Sequence, residues 1–297
     1  MAADRDQLTA AFEEHRSHLL RVAYATLGSL AEAEDAVQEA WLRLRRQERP
    51  EEIRDLRAWL TTTVSRIALD ALRSARARRE RYVGPWLPEP LVEDAVGADP
   101  ADRVTLDESV SMALLVVLER LSAAERSAFL LHDVFGLSFD EVAEVVGRSP
   151  AAVRQLASRA RRHVEEGRPR FPPTRAEQLE LVGAFAAACL EGDLDRLVQI
   201  LDPDVVWRSD GGGKVAASRK EQRGAERVAK INLALARRPP QEARVADVNG
   251  APGLVFRDAD GHLTVMAFTV DAGRIVAIDV IRNPEKLTAV ADAEPGA

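Results

Sequence analysis

Arginine is concentrated in two stretches of the sequence, and clustered guanidinium groups are suited to binding phosphate. Residues 66–81 contain six arginines against two carboxylates, and residues 148–170 contain seven against two. Between them, residues 88–108 carry seven carboxylates and one arginine. The formal net charge of the chain is −7, but binding to a polyanion depends on local potential rather than on this sum. The two basic stretches therefore indicate nucleic-acid binding.

Few residues are arranged for metal or redox chemistry. Cys189 is the only cysteine, which excludes an internal disulfide and a multi-cysteine zinc site, and its apolar surroundings predict a buried thiol. The five histidines are scattered without an HExxH-like pair. We expect neither a metal nor a cofactor.

The composition is that of an ordinary water-soluble protein, with 46% apolar and 30% charged residues. The longest apolar run, from Leu181 to Leu190, is far shorter than the roughly 18 residues that suggest a membrane span. Asp4, Arg5 and Asp6 open the chain where a signal segment would be basic and then apolar. We expect a cytoplasmic protein with no membrane partner.

Prolines and changes of periodicity divide the chain into domains. Apolar residues recur at helical spacing through residues 1–82, and three prolines between Gly84 and Pro90 then break any helix. After residue 174, two helical stretches (175–191 and 193–201) precede short apolar runs separated by Asn249-Gly250, Asp260-Gly261 and Ala272-Gly273. The predicted fold class is multidomain: two all-α domains followed by an α+β domain with an antiparallel sheet. The predicted boundaries are a helical domain at 1–82, a linker at 83–103, a second helical domain at 104–168, the α+β domain at 174–290 and a tail at 291–297.

The second helical domain contains the signature of a helix-turn-helix. Ser122 with Glu125, and Ser138 with Glu141, form two capping boxes, and Gly147 supplies a residue that ends the second helix. Ser149-Pro150 then provides an N-cap and a first-turn proline for an amphipathic helix. Two short helices joined by a tight turn, the second amphipathic, predict a helix-turn-helix.

The outer face of the last helix is suited to reading DNA. Small residues at its start allow close approach to base edges, Arg154 and Gln155 can pair with guanine or adenine, and later arginines suit phosphates. The predicted DNA-contacting residues are Ala151, Ala152, Arg154, Gln155, Ser158, Arg159 and Arg162. The alternative is a solvated basic face on an ordinary helical hairpin.

In the first helical domain, the segment from Glu34 to Leu44 buries one stripe and leaves Asp35, Gln38 and Glu39 together on the other. Taken alone, this set is most often a solvated helix face. It resembles the polymerase-binding helix of sigma factors of the extracytoplasmic-function (ECF) family, in which such a set docks on the clamp helices of the largest subunit of core RNA polymerase.

The resemblance extends to the rest of both helical domains. Arg57-Ala58-Trp59-Leu60 and the arginines after it are similar to the family's segment that recognises and melts the −10 promoter element, although Ile67 stands where the family usually has asparagine. The residues that this implies at the −10 element are Arg66, Arg73, Arg76, Arg78 and Arg79. The helix-turn-helix then corresponds to the domain that reads the −35 element, so promoter DNA is the second expected partner.

The C-terminal domain resembles the SnoaL-like, conical α+β fold shared with ketosteroid isomerases and nuclear transport factor 2. Three motifs resemble one subgroup of the family, termed ECF41 or SigJ-like, in which this domain is thought to replace a separate anti-sigma factor and to hold the two DNA-binding domains together. The last motif has Glu285 where the subgroup normally has aspartate. The regulatory residues implied by these motifs are Trp86, Leu87 and Pro88 in the linker, Asp210, Gly211, Gly212, Gly213 and Lys214 after a strand, and Asn283, Pro284, Glu285, Lys286 and Leu287 near the end.

Alternatives remain for the C-terminal domain and for the whole chain. The glycine-rich turn at 211–213 is interpreted as a docking turn for the proline-rich linker, and the alternative is a plain surface turn. Catalysis is disfavoured because the only tyrosines, Tyr24 and Tyr82, lie outside the domain, and because Asp210, Asp279 and His262 show no joint spacing. A small-molecule ligand of this domain is a further hypothesis, since such folds often house apolar substrates. The rival to a sigma factor is a stand-alone helix-turn-helix regulator with a ligand-sensing domain.

Overall fold

The structure is a computed structural model that describes residues 2–79, 82–93, 110–167, 171, 173–238 and 240–292. The acidic stretch at 94–109, Arg81, Pro169, Pro172 and the tail at 293–297 lie outside the described residues. The chain divides into two compact units. The first comprises residues 1–80 and 117–167, and the second comprises residues 81–116 and 168–297.

Every regular element in the described part of the first unit is a helix or a helical turn. Its helices are α1 (Ala2–Leu27), α2 (Leu30–Arg45), a 3-10 turn (Pro50–Glu52), α3 (Leu56–Arg79), α5 (Ala123–Phe129), a π-helical turn (Leu130–Val134), α6 (Phe139–Val146) and α7 (Pro150–Gly167), while α4 (Met112–Leu118) leads into it from the second unit.

The predicted caps of the helix-turn-helix are confirmed. Both capping boxes are formed, with Ser122 before α5 and Ser138 before α6. Gly147 ends α6 in the left-handed region at φ 70°, which glycine adopts without the steric cost of a Cβ. The π-helical turn after α5 was not predicted, since a single turn with i to i+5 hydrogen bonds leaves no distinctive signal in the apolar spacing.

The two helical domains pack against each other within the first unit through a buried arginine. Arg126 is only 2% exposed, and its Nε and Nη2 atoms donate to the carbonyl of Ala25, near the end of α1, at 3.3 and 2.9 Å. Its Nη1 is paired with Glu119. Because a buried guanidinium needs such partners, this contact fixes the orientation of α5 on α1.

The second unit is a sheet covered on both faces. Its elements are β1 (Val92–Glu93), α8 (Arg175–Glu191), α9 (Leu194–Ile200), β2 (Leu201–Asp210), β3 (Gln222–Arg223), α10 (Ala225–Ala236), β4 (Gln241–Val248), β5 (Ala251–Arg257), β6 (Leu263–Asp271), β7 (Arg274–Ile281), a 3-10 turn (Pro284–Lys286) and α11 (Thr288–Asp292). Over the described residues, the strands form one sheet in the order β1-β4-β5-β6-β7-β2-β3.

Alternation along the strands sends side chains to two different apolar cores. One face, with Trp207, Phe268 and Ile278, packs against α8, α9 and α10. The opposite face, with Val255 and Val265, packs against Leu87 of the linker, Met112 and Val116 before the helix-turn-helix, and Leu287 and Val290 near the C-terminus. The linker is therefore part of the second unit's core.

The α+β class is confirmed, but two details of the prediction are wrong. β2 pairs with β7 in parallel, so the sheet is mixed rather than antiparallel. In addition, β1 turns the last described part of the linker into an edge strand, with Val92 opposite Val248. Both pairings join residues distant in sequence, and no local pattern of apolar residues specifies such partners.

Candidate functional sites

The predicted reading face of α7 is open to solvent. Ser149 Oγ accepts a hydrogen bond from the backbone N–H of Ala152 at 3.3 Å and so caps the start of the helix. Val153, Ala157, Ala160 and Val164 are buried beneath. Of the seven residues predicted to contact DNA, Ala152 is half-buried and the other six are exposed.

The arginines of α7 differ in what surrounds them. Arg159 lies 3.3 Å from the Glu125 carboxylate, and Arg161 lies 2.6 Å from Asp133. Arg154 lies instead over the ring of Phe139, with its guanidinium carbon 5.1 Å from the ring centroid. The arginine predicted to read bases is thus held by an aromatic ring.

The predicted polymerase-docking set on α2 shares one face of the helix. Asp35 and Gln38 are exposed, while Glu39 is half-buried and accepts from Arg43 Nε at 2.9 Å. The opposite stripe of α2 is buried, so these side chains point away from the core of the first unit. The Asp35 carboxylate and the Gln38 amide are therefore exposed, while the Glu39 carboxylate is paired with Arg43.

The arginines predicted at the −10 element lie along α3. Arg66 donates to the backbone carbonyl of Glu144 on α6 at 3.2 Å and lies 3.6 Å from its carboxylate. Arg73 pairs with Asp70, one helical turn away, at 3.2 Å. The side chains of Arg76, Arg78 and Arg79 lie outside the described residues. The helix-turn-helix domain therefore engages Arg66 in this conformation.

In the second unit, the linker is held by a buried carboxylate at the end of β2. Asp210 is fully buried and accepts from the Tyr82 hydroxyl at 2.6 Å, the Leu87 N–H at 2.9 Å and the Gly212 N–H at 3.0 Å. Its fourth donor is Lys286 Nζ, at 2.7 Å. One carboxylate thus joins the linker, the glycine turn and the C-terminal motif.

Lys286 connects the same motifs through its charge. Its Nζ lies 3.8 Å from the centroid of the Trp86 indole and 5.2 Å from that of the Tyr82 ring. The same Nζ donates to the Leu87 carbonyl. A cation over an aromatic face is stabilised most when it is desolvated, and Lys286 is only 9% exposed.

Asn283 and the glycine turn complete this group of contacts, which we call the linker-docking cluster. Its residues are Tyr82, Trp86, Leu87, Asp210, Gly212, Asn283 and Lys286. Asn283 Nδ2 donates to the Tyr82 hydroxyl at 2.9 Å, and its Oδ1 accepts from the Glu285 N–H at 3.1 Å. Gly212 has φ +63°, and a Cβ there would lie 2.5 Å from the Asn283 side chain. The turn therefore requires glycine both for its backbone and for the close approach of Asn283.

Two further contacts sit at the edges of this arrangement. Lys214 pairs with Glu285 at 2.5 Å in an exposed position, so Glu285 reaches the glycine turn. At the other end of the linker, Leu91 exchanges hydrogen bonds with the buried Asn249, donating to its Oδ1 at 3.1 Å and accepting from its N–H at 2.9 Å. The linker is held at both ends of its described segment.

The cluster favours a neutral tyrosine. Burial, and then the hydrogen bond and charge of Asp210, raise the pKa of Tyr82 above its ordinary value. The Tyr82 hydroxyl therefore keeps its proton and remains a donor to the carboxylate under ordinary conditions.

The premise that Tyr82 lies outside the C-terminal domain is wrong, because the fold brings its hydroxyl to Asp210. The other groups considered for acid–base chemistry are not joined to this pair. Asp279 is buried against Arg208, with Oδ1 2.5 Å from Nε, and His262 faces Asp258 at 3.4 Å. Asp279 is therefore already paired with an arginine.

One group of possible metal ligands was missed by the histidine spacing. Asp258, Asp260 and His262 bring ligand atoms within 4.8 Å of one another. However, Asp258 pairs with Arg282, and Asp260 is held by both terminal nitrogens of Arg238 at 2.9 and 3.1 Å. Arginine thus neutralises the two carboxylates, and this arrangement is typical of a structural turn.

The second unit also has an open cleft of about 490 Å³. It lies between the first turn of α4, the start of α8 and the β4–β5 hairpin. Arg175 at its rim is paired with Asp247 at 2.6 Å. A small ligand of this domain stays a prediction.

The sequence predictions missed Tyr82, Asn249 and Arg126 as functional or organising residues. Tyr82 lies four residues before the Trp86–Pro90 motif, and its isolation among few tyrosines was the available signal. Asn249 was interpreted as a turn residue, and it does adopt φ 52°. Nothing local indicates that Arg126 is buried.

Comparison with protein families identifies both helical domains. Residues 11–78 match sigma-70 region 2, and residues 111–164 match sigma-70 region 4. The two regions in this order define a sigma factor, and a stand-alone helix-turn-helix regulator has no region 2.

The relatives extend over almost the whole chain. It is 44% identical to ECF RNA polymerase sigma factor SigJ of Mycobacterium tuberculosis, over 93% of this chain and 92% of SigJ. It is 37% identical to the probable ECF sigma factor SigI of the same species, over 96% of each chain. The crystal structure of M. tuberculosis SigJ matches with a TM-score of 0.77 and 41% identity, covering 94% of this chain and 98% of SigJ. The chain belongs to the ECF RNA polymerase sigma factors.

Membership of this family implies core RNA polymerase and promoter DNA as partners. The match to the SigJ structure includes the C-terminal α+β unit, which is the SnoaL-like domain expected from the motifs. Over the residues that the structure describes, every helix is too short or too polar to serve as a bilayer-spanning segment.

Proposed function

We propose that this sigma factor docks on the clamp helices of the largest polymerase subunit through Asp35, Gln38 and Glu39. The exposed common face of these residues supports the proposal, since α2 needs none of the three to pack on its neighbours. Two carboxylates and an amide match a basic and hydrogen-bonding partner surface.

The same proposal assigns the DNA contacts. α7 enters the major groove at the −35 element with Arg154, Gln155 and Ser158 toward base edges, because the N-terminal part of a recognition helix approaches the bases most closely. Arg159 and Arg162, further along the helix, contact phosphates. The arginines of α3 engage the −10 element, where cationic side chains hold the backbone of the melted strand.

The third part of the proposal is regulation through the linker. Residues 82–93 form part of the connection between regions 2 and 4. The observation that carries the proposal is that Asp210 and Lys286 hydrogen-bond to these residues and that β4 pairs with them. Residues on both sides of region 4 belong to the C-terminal unit as well. Holding these segments restricts how far region 4 can move from region 2.

The packing inside the first unit agrees with an inhibited state. The −10 and −35 elements are centred about 25 base pairs apart, which is roughly 85 Å along the duplex. Regions 2 and 4 must therefore separate to reach both elements at once. In the described conformation Arg126 ties them together and Arg66 is engaged by Glu144. Release of the linker is expected to permit the open arrangement.

The polymerase contact is tested by binding of the full-length protein to core RNA polymerase. The double variant Asp35→Ala/Gln38→Ala is expected to lose binding and run-off transcription. Glu14→Ala is the control, since Glu14 is an exposed glutamate on α1 rather than on the proposed face of α2. Equal binding by the double variant and the control would reject the assignment.

The regulatory part is tested by substitutions within the linker. Leu87 is 1% exposed, so Leu87→Arg forces the linker off the sheet, whereas Val83 is 50% exposed and Val83→Arg leaves the buried contacts in place. We expect the Leu87 variant alone to change the yield of promoter-specific transcript. The same yield from both variants would remove the support for a regulatory linker.

A further inference from the structure

Phe139, the first residue of α6, contacts two side chains of the helix-turn-helix domain through its ring. The imidazole of His132 stacks on its ring, with centroids 3.7 Å apart and planes inclined by 29°. Arg154 of α7 lies over the ring as well, 5.1 Å from its centroid. Phe139 therefore links the first helix of the motif to the arginine on the second.

The His132 side chain is held in place by a hydrogen bond. His132 Nδ1 lies 2.8 Å from the carbonyl oxygen of Leu137. A carbonyl only accepts, so Nδ1 carries the proton and donates. The Leu137 N–H is in turn bonded to the Leu131 carbonyl at 2.8 Å. The imidazole plane, and with it the position of Phe139, is set by the turn between the helices.

The contact between Phe139 and Arg154 leaves the hydrogen-bond donors of Arg154 available. A guanidinium meets an aromatic ring through its face, and its N–H donors lie in its plane and point outward. Among the described residues, Arg154 has no carboxylate partner, in contrast to Arg159 and Arg161. Because the contact with Phe139 is not a hydrogen bond, the N–H donors of Arg154 remain available for a base edge.

We propose that Phe139 is a positioning residue that pre-orients Arg154 for reading a base pair of the −35 element. This inference rests on the proposed role of α7 and extends it to a residue that itself touches no DNA. An exposed arginine otherwise populates many rotamers, and restricting them before binding lowers the cost of forming a bidentate contact.

The experiment measures promoter occupancy by the complete holoenzyme on a fragment selected by run-off transcription. Each base pair of its −35 element is substituted in turn, and the ratio of occupancy on the original and substituted fragments gives the discrimination at that position. Phe139→Leu keeps an apolar side chain but removes the ring, and Phe139→Tyr keeps the ring. Arg154→Ala and Arg159→Ala are combined with Phe139→Leu.

We expect Arg154→Ala to relax discrimination at one or two adjacent base pairs. Phe139→Leu should lower discrimination at those same base pairs by about two- to five-fold, the range that an exposed cation–π contact supports. Phe139→Tyr should restore it. In the Arg154→Ala background, Phe139→Leu should cause no further loss of discrimination. In the Arg159→Ala background, the losses of discrimination from the two substitutions should add.

Three results with Phe139→Leu would overturn the inference: a uniform loss at every base pair, a full additional loss in the Arg154→Ala background, or no loss at all. If Arg154→Ala relaxes no base pair, the proposed reading role of Arg154 fails and the inference fails with it. If Arg154→Ala relaxes discrimination but Phe139→Leu does not, only the positioning role is rejected. Phe139→Tyr, which retains the stack, separates these results from misfolding.

Discussion

Replacing Asp210 with asparagine removes the charge at the centre of the linker-docking cluster without changing its shape. The carboxylate accepts four hydrogen bonds, two on each oxygen: from Tyr82 and the Gly212 N–H on one, and from the Leu87 N–H and Lys286 on the other. An asparagine amide offers one oxygen and one NH₂ group. Whichever way the amide is oriented, its NH₂ group takes the place of one carboxylate oxygen. The two donors that met that oxygen then face another donor.

The size of the effect follows from the burial of the pair. Breaking a buried ion pair from one side costs about 3–5 kcal/mol. Lys286 retains the Leu87 carbonyl and the indole of Trp86, so we expect the lower end, about 3 kcal/mol. Since 1.4 kcal/mol is a factor of ten, the undocked fraction of the linker should rise by roughly a hundredfold.

Hydrogen exchange over residues 82–93 measures this opening directly, because the Leu87 N–H is protected by Asp210. Asp279→Asn is the matched control: it breaks another buried pair of the same sheet, with Arg208, that does not hold the linker. Asp210→Asn should speed exchange selectively in the linker and alter run-off transcript yield, and Asp279→Asn should not select the linker. Unchanged linker exchange in Asp210→Asn would refute the reasoning.

Three further outcomes are expected. Gly212→Val should change promoter-specific transcription while circular dichroism retains the wild-type helix content, because its Cβ would collide with Asn283; wild-type transcription would contradict a docking role. Arg126→Met should lower the free energy of unfolding of the first unit by about 2–3 kcal/mol in urea titrations, because it removes the buried bonds to Ala25, and an unchanged midpoint would count against that contact. Burial, then the charge of nearby Arg57, lowers the pKa of His18 to about 4. The stability that His18 contributes should therefore be present above pH ~6.5 and lost as the pH falls toward 4. His18→Gln should flatten that part of the pH profile of the free energy of unfolding, and an equal slope in the variant would exclude His18 as its source.

The helix-turn-helix and its caps were predictable from the sequence because the signals that specify them are local. A serine hydroxyl, a glutamate three residues later and a glycine at the end act within one helical turn, so Ser122, Ser138 and Gly147 specify their helices wherever these pack. The apolar stripe of α7 likewise determines which residues face outward. Which residues of α2 and α7 face outward therefore follows from the sequence alone, while their contacts with polymerase and DNA are proposals.

The linker-docking cluster was decided by the tertiary structure. Tyr82 and Asp210 are 128 positions apart, and Arg66 and Glu144 are 78 apart, so no periodicity relates them. The motifs around Trp86, Gly212 and Asn283 predicted that these segments matter, but not that one buried carboxylate joins them. The parallel pairing of β2 with β7 brings Asp210 beside the start of the C-terminal motif. A sequence specifies which groups need partners when buried, but only the packing of distant segments determines which partners they meet.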